Sequence, residues 1–473
     1  MISISSIAVR TAIHMLLVLK PNLAINFYNN ALFITAKQRH YKPIRNFLHH
    51  GRKITHTTNK RVDIIALTGE KTSISSSTYT SSSSLPWVQS LESTNDTSQN
   101  NNDDRSSISS KKKQLSIFSW NILAQYLFDA ARSKWYNHIL QKSVIHNNND
   151  TENQQQEEIL LFTYDWYHRW KMIQKELQQQ SKCDIICLQE VEYKMYELDI
   201  LPFMIHLGFD GIIQKSTQQH GIATFWRKSR FTLCNRSDRS RTLITTLKDH
   251  IDDNNTEIIA IINCHLQGNP SQAVARVNQL QHSIKDLQSA KFTIDEHKNN
   301  YHRRCDNVII CGDFNSQLGN SASSLYLRYG SCPEDIPMYE FIGSEDLIDD
   351  EQKRKIKQTM KPHGYNFHSA YPFDLVRTDS EDSLNYITFA NKPGHYTVGL
   401  DQIWFHSSPS TDDETSQNQT VRVVGLKHPF HSEEHRNQVI QYGLPSPFHP
   451  SDHMSVGCIL EWEVEQGKID TLN

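Results

Sequence analysis

"VIICGDFNSQLG", residues 308–319, decides how the rest of this 473-residue chain is read. Val308 to Cys311 form a short apolar run suited to a buried strand. A glycine follows, and then Asp313 and Asn315, two positions apart. Gly, Asp and Asn are turn formers, so taken alone the stretch reads as a strand ending in a turn. A turn does not by itself account for a carboxylate and an amide placed two apart. In extended chain such a pair projects from one face.

The same kind of ending recurs along the sequence. "LSIFSWN" ends in Asn121, "DIICLQE" in Glu190 and "IIAIINCH" in His265. "GLDQIWF" opens a strand with Asp401, and "PSDHMSV" opens the last one with Asp452 and His453. Strands running in opposite directions bring one strand's end and another's start to a common rim, where α/β sheets place their ligands. Each residue alone has a plain explanation as a turn former or a core histidine. Glu190 is the most demanding, because a carboxylate straight after an apolar run is costly to desolvate unless a cation or donors meet it.

Between these strands lie helical patterns. Trp166, Trp170, Ile173 and Leu177 share one helix face, and so do Val274, Val277, Leu280, Ile284 and Leu287. Asn269 and Pro270 are placed as N-cap and first residue of the second helix. Met454, Val456, Cys458, Leu460 and Trp462 alternate, which predicts a strand with one buried face. Residues 114–463 therefore read as one α/β domain.

Composition limits the alternatives. The net charge of −3 excludes a broadly basic nucleic-acid coat but leaves room for a local basic groove. The eight cysteines show no CxxC pair, which favours a reducing compartment over a secretory one. The first acidic residue is Asp63, after ten Lys and Arg residues. Such an acid-free basic segment, 1–62, resembles a mitochondrial transit peptide. It predicts delivery to the matrix, with the cytoplasm or nucleus as the alternative if the segment is only a basic tail. The apolar run Met15 to Leu19 is stopped by Lys20 and Pro21, too short to span a bilayer. Residues 63–113, rich in Ser and Asn, read as a disordered linker. Residues 146–158, 344–358 and 411–420 read as surface excursions, the second partly helical, and 464–473 as a short tail.

Taken in order, N, QE, HL, GDFN, LD and SDH resemble the signature of the endonuclease/exonuclease/phosphatase superfamily. "FSWNILAQYL", "WYHRWKMIQKEL" and "HGIATFWRKSRF" resemble its deadenylase-like branch of carbon-catabolite-repressor-type deadenylases, nocturnin, angel proteins and 2′,5′-phosphodiesterase. "CPEDIPMY" and "GLPSPFHPSDHMSVGCILEWEV" are most like the mitochondrial 2′,5′-phosphodiesterase. Where those proteins carry a folded N-terminal domain or leucine-rich repeats, this chain reads as a basic segment and a polar linker. The resemblance implies an α/β four-layer sandwich of two packed mixed β-sheets flanked by helices.

It also implies roles. Glu190 would hold Mg²⁺, with Mn²⁺ as a substitute, Asn121 would steady that site, and Asp452 would lie beside it. Asp313 would position or deprotonate the attacking water, and Asn315 would donate to the transition-state oxygens. His453, oriented by Asp401, and His265 would contact the phosphate. Phe389 and Tyr386, with Tyr396, would stack bases, the alternative being that Phe389 belongs to the core. Read from its residues alone, Trp226 to Arg230 either touches backbone phosphates or, more commonly for such a stretch, forms an exposed strand end with solvated charges. The implied activity is a Mg²⁺-dependent 3′-to-5′ exoribonuclease on single-stranded adenosine-rich RNA or 2′,5′-oligoadenylate. The alternative is a phosphatase or cyclic phosphodiesterase on a nucleotide or small phosphate ester. A non-catalytic adaptor is disfavoured because no catalytic position is missing. "QEVE" in place of "QET" with a lysine disfavours an abasic-site endonuclease.

Overall fold

The computed structural model describes residues 111–131, 165–250, 257–290, 305, 307–334, 336–340, 349–373, 386–392, 394–406, 421–446 and 448–464. The predicted presequence, most of the linker, and the excursions at 146–158 and 411–420 lie outside the described residues. The early strands are β1 (Lys111–Asn121), β2 (Ile185–Glu192), β3 (Phe209–Ile213), β4 (His220–Arg227), β5 (Phe231–Asp238), β6 (Thr242–Asp249) and β7 (Glu257–His265). After them come β8 (Asn307–Asp313), β9 (His368–Ser369), β10 (Ile387–Lys392), β11 (His395–Val398), β12 (Asp401–His406), β13 (Arg422–Lys427) and β14 (Val456–Val464). The longer helices are α1 (Trp166–Gln179), α2 (Ala273–Ser289), α3 (Ala322–Tyr329), α4 (Asp350–Thr359) and α5 (Glu433–Tyr442).

The strands form two mixed six-stranded sheets, ordered β13-β14-β1-β2-β4-β3 and β5-β6-β7-β8-β12-β9, with a separate β10-β11 hairpin. The pairs β1–β2 and β7–β8 are parallel, and their neighbours β14, β4, β6 and β12 run against them. The C-terminal ends of the parallel pairs and the starts of those neighbours therefore share one edge. This is the rim that the sequence pattern predicts.

Strand alternation builds the layers. In β2, Ile185 and Cys187 face the core between the sheets, while Ile186 and Leu188 face the outer helical layer with Trp170, Ile173 and Leu177 of α1. Asp165 caps α1 by accepting from the His168 amide, and Trp166 stacks on Trp170 at 5.7 Å. Leu177 is fully buried, so Leu177→Ala should cost about 2–5 kcal/mol in transfer energy and residual cavity. On the other side α2 buries Val277, Leu280, Ile284 and Leu287. The excursion at 344–358 contributes the helix α4, capped by Asp349.

Two local expectations are corrected. Helix α2 starts at Ala273 after Gln272, and Asn269 instead closes a turn by accepting from the Ser271 amide at 3.0 Å. The last strand is buried on both faces, with Ile459 under the helical layer and Glu461 7% exposed. The reason is position: β14 lies between β13 and β1, inside its sheet.

Candidate active site

Two backbone devices aim the carboxylates at the rim. Alternation would send Glu190 into the helical layer alongside Ile186 and Leu188. Instead the β2–β4 register shifts between Leu188 and Val191, and Glu190 takes φ +56°. The side chain is thereby turned back toward β8. Gln189, pointing between the sheets, donates to Asn263 Oδ1 at 2.8 Å, and Asn263 donates to the Ala223 carbonyl at 2.9 Å. That buried polar bridge ties the two sheets together directly beneath the site.

The second device is in the opening stretch. Gly312 has φ +135°, and a Cβ there would come within 2.0 Å of the Cys264 carbonyl oxygen. Only glycine fits. Strand β8 ends at Asp313, and Asn315 adopts φ +48°, so the two side chains meet through a left-handed turn and not by strand alternation. Asp313 Oδ1 accepts the Asn315 amide at 2.8 Å, and Asn315 Nδ2 donates to the Leu266 carbonyl at 2.9 Å.

The predicted residues converge on this rim. Asn121 Nδ2 donates to Asp313 Oδ2 at 3.0 Å and to Glu190 Oε1 at 3.3 Å, while the Ala124 amide donates to Glu190 Oε2 at 3.1 Å. His265 Nε2 lies 3.6 Å from both Glu190 and Asp313. On the far side of Asp313, His453 Nε2 is again 3.6 Å away, and its Nδ1 is 2.9 Å from Asp401 Oδ2. Asp452, Asn315 and Phe389 complete one wall of a cleft of about 520 Å³, with the Phe389 ring 4.9 Å from the His453 ring.

Electrostatics follow from this crowding. Burial alone would raise the Glu190 carboxyl, but His265, the Ala124 amide, His453 and His220 hold it below the usual range. Asp401 is pushed up to about 6 by burial against the opposing pull of His453. Asp452 is also pushed up to about 6, by burial and by the negative charges of Glu190 and Asp313. Burial would lower His453, yet Asp401 and Asp313 drive it well above the ordinary histidine range.

Some expectations fail. Tyr386 is 1% exposed, stacks on Tyr371 at 4.4 Å and donates its hydroxyl to the Asp401 carbonyl at 2.9 Å. It supports the back of the site and does not line the cleft. Tyr396 is 39% exposed on β11. Trp226 is buried, and Arg230 is locked in ion pairs with Asp184 and Asp249. Both lie toward the end of β4 away from His220, and so away from the cleft. Asn121 offers its amide nitrogen to the carboxylates, and its oxygen is taken by the Leu123 amide at 3.0 Å. It bridges the two carboxylates, consistent with steadying the site.

Other contributors carry no obvious sequence signal. Tyr126, His220, Arg241 and Gln267 line the cleft opposite Phe389. Arg169, fully buried on α1, donates to the carbonyls of Ile122 and Leu123 at 2.6 Å, to Gln125 Oε1 and to the Pro450 carbonyl at 2.7 Å. It joins the loop after β1 to the loop before β14, and Leu123 there has φ +58°. His220 and Arg169 fall inside the quoted "HGIATFW" and "WYHRWK" fragments, whose spacing reveals neither role.

A rim of carboxylates, amides and histidines across two mixed sheets defines a class. The Endonuclease/Exonuclease/phosphatase family matches residues 119–453, and the chain belongs to that family. Its relatives lie in the deadenylase-like branch. The 3′-5′-exoribonuclease subunit Ccr4 of the CCR4-Not complex from Candida albicans is 23% identical over 337 residues, covering 64% of this chain and 38% of that protein. Human 2′,5′-phosphodiesterase 12 is 24% identical over 333 residues, covering 63% of this chain and 46% of that one. The chain thus spans less than half the length of these curated relatives. The crystal structure of ANGEL2, a 2′,3′-cyclic phosphatase, superposes with a TM-score of 0.51 at 20% identity, over 74% of this chain and 95% of that one. That likeness concerns the fold.

Proposed function

We propose that this chain is a metal-dependent phosphodiesterase that removes nucleotides from the 3′ end of adenosine-rich RNA or 2′,5′-linked oligoadenylate. The observation that carries this reading is the placement of Asp313, held by Asn121 and the Asn315 amide between His265 and His453, with Glu190 beside it. In that position Asp313 orients a water and takes its proton as the water oxygen forms the new bond to phosphorus. The bond to the departing ribose oxygen breaks, and solvent on the open side of the cleft supplies that oxygen's proton. Cationic His453, kept so by Asp401 and Asp313, balances charge on the non-bridging oxygens. Asn315, which lines the cleft, would donate to the same oxygens once its Nδ2 leaves the Leu266 carbonyl.

Asp313, Asp401 and His453 bring ligand atoms within 4.8 Å of one another. The 2.9 Å bond between His453 and Asp401 supports the reading that Asp401 orients the imidazole instead of holding a cation. A hard divalent cation suits Glu190 and Asp452, because Mg²⁺ keeps most of its waters and needs only one or two carboxylates. Burial, with the repulsion of Glu190 and Asp313, raises Asp452, and a cation would relieve that repulsion. Bound there, Mg²⁺, or Mn²⁺ in its place, supplies positive charge to the phosphate oxygens.

The test is a substrate panel offered to the full chain with Mg²⁺. It comprises 3′,5′-oligoadenylate, its 2′,5′ isomer, non-adenosine RNA and a 2′,3′-cyclic phosphate. Release of AMP from the oligoadenylates, abolished by EDTA and by Glu190→Ala, is the expected result. Equal turnover of every RNA sequence sinks the adenosine preference, and turnover of the cyclic phosphate alone favours the alternative, a phosphatase or cyclic phosphodiesterase. Mitochondrial delivery rests on residues 1–62. Comparing a C-terminally tagged full chain with one starting at residue 63 tests it, and a diffuse signal from the full chain rejects it.

A further inference from the structure

One end of the cleft has no task in the reaction above. Along the rim, sheet order places β12, β8, β7 and β6 side by side, so Asp401, Asp313, His265 and Arg241 follow one another. Facing them, β14, β1, β2 and β4 bring His453, Asn121, Glu190 and His220 in the same sense. Phe389 lies at the β12–β14 end, and Arg241 and His220 lie at the other. Adjacent strands are about 4.8 Å apart, so two steps from β8 to β6 cover about 10 Å.

Arg241 is half-buried, and its Nη2 donates to Gln267 Oε1 at 3.1 Å. Among the described residues it makes no ion pair. A guanidinium carries five N–H donors in a fixed fork, and one neutral amide oxygen leaves most of them for another acceptor. The wall around it is polar. Tyr126 OH meets His220 Nδ1 at 2.5 Å and fixes that imidazole, whose ring centre is 6.1 Å from that of His265. Two neighbouring arginines at this edge are engaged, Arg236 with Asp238 and Arg239 with Asp286. Arg241 is the cation whose environment suits an anion arriving from the cleft.

We infer that Arg241, with His220 and Gln267, forms a second phosphate subsite, one nucleotide upstream of the scissile phosphate. The proposal rests on the site acting on a nucleotide chain. The terminal nucleoside lies against Phe389, its 5′-phosphate lies at Asp313, and the next phosphate lies against Arg241. Such a subsite separates substrates that extend past the scissile bond from those that end at it. The phosphate is supplied either by the chain or by a 5′-terminal monophosphate on a dinucleotide.

Three substrates separate these sources: ApA, which has only the scissile phosphate, pApA, which adds a terminal phosphate, and ApApA, which adds a chain phosphate. With the full chain and Mg²⁺, KM for pApA and ApApA should be roughly tenfold below that for ApA, the size of one charge-assisted hydrogen bond. Arg241→Met should bring that ratio near one, and Arg241→Lys should recover part of it. The salt dependence of oligonucleotide binding should become shallower by about 0.7 in log–log slope in Arg241→Met. A preference for pApA alone assigns the subsite to terminal phosphates, and a preference for both assigns it to chain phosphates. An unchanged ratio in Arg241→Met, or an equal fall in kcat on all three substrates, overturns the proposal. If none is hydrolysed, the hydrolytic reading fails, and calorimetric binding of the same three oligonucleotides decides the subsite. An Arg241-dependent advantage for pApA or ApApA over ApA then supports it, and equal affinities reject it.

Discussion

Asp401 Oδ2 and His453 Nδ1 meet at 2.9 Å across 52 residues of sequence, joining the first residue of β12 to the segment that leads into β14. The contact fixes the imidazole's orientation and keeps its proton, leaving Nε2 to face Asp313 at 3.6 Å. Asp401→Asn should lower kcat by about 10²–10⁴ with little change in KM. It also removes a charge that raises His453, so activity that needs the cation should be lost at lower pH than in the parent. A pH–rate profile of both proteins reads this shift. Superimposable profiles with equal kcat would place the pair outside the reaction.

Arg169 binds four oxygens from two loops, and its pKa, lowered by burial to about 10, leaves it cationic at neutral pH. Those loops carry Asn121 and the Ala124 amide on one side and Asp452 and His453 on the other. Arg169→Met should cost about 3 kcal/mol or more, since hydrogen bonds to a charged donor contribute about 1.5–3 kcal/mol each. Arg169→Lys keeps the charge but loses the fork, and should recover stability more fully than kcat. Urea unfolding combined with kcat, measured where each variant is fully folded, separates the two effects. A folded Met variant with parental kcat and metal affinity would limit Arg169 to a stabilising role.

The rim was legible because its residues terminate apolar runs, where an Asp, Glu, Asn or His has no reason to sit unless it faces something. What alternation cannot show is how the backbone leaves the sheet. The bulge that turns Glu190 and the left-handed turn at Asn315 depend on pairing with β4 and on the approach of β7 to Gly312. Arg169, Arg230 and Tyr386 were opaque for a related reason. Whether a long polar side chain meets solvent, a substrate or a buried carbonyl depends on elements far away in sequence.

Phe389 and Tyr386, three residues apart, turn that point into a measurement. Phe389 lines the cleft beside His453, while the Tyr386 hydroxyl is spent on the Asp401 carbonyl. Phe389→Ala should raise KM for oligoadenylate about tenfold, since base–aromatic stacking contributes about 1–3 kcal/mol per base. Tyr386→Phe should instead lower stability by about 1 kcal/mol and leave KM near the parent's. The reverse assignment, KM moved by Tyr386→Phe and not by Phe389→Ala, would return Tyr386 to the substrate.

A histidine cluster behind the rim sets how the fold responds to acid. His449 is 9% exposed, donates from Nε2 to the His453 backbone carbonyl at 2.9 Å, and lies 6.2 Å from the His435 ring. Since a carbonyl oxygen only accepts, Nε2 carries the proton. Burial lowers both His449 and His435 to about 4. An unfolded histidine takes its proton near 6.5, so between about pH 6.5 and 4 the unfolded chain binds more protons than the folded one. Stability is therefore full above that window and is lost as pH falls through it, by up to about 3 kcal/mol for His449. Asp401 and Asp452, both raised to about 6, act with the opposite sign over much of the same range. The parent's own slope thus mixes the two. His449→Gln isolates the histidine, because glutamine keeps a donor near Nε2 and does not titrate. In urea unfolding at pH 7, 6 and 5 with EDTA, the variant should lose less stability on acidification than the parent. Parallel slopes in the two proteins would show that His449 does not govern the acid response.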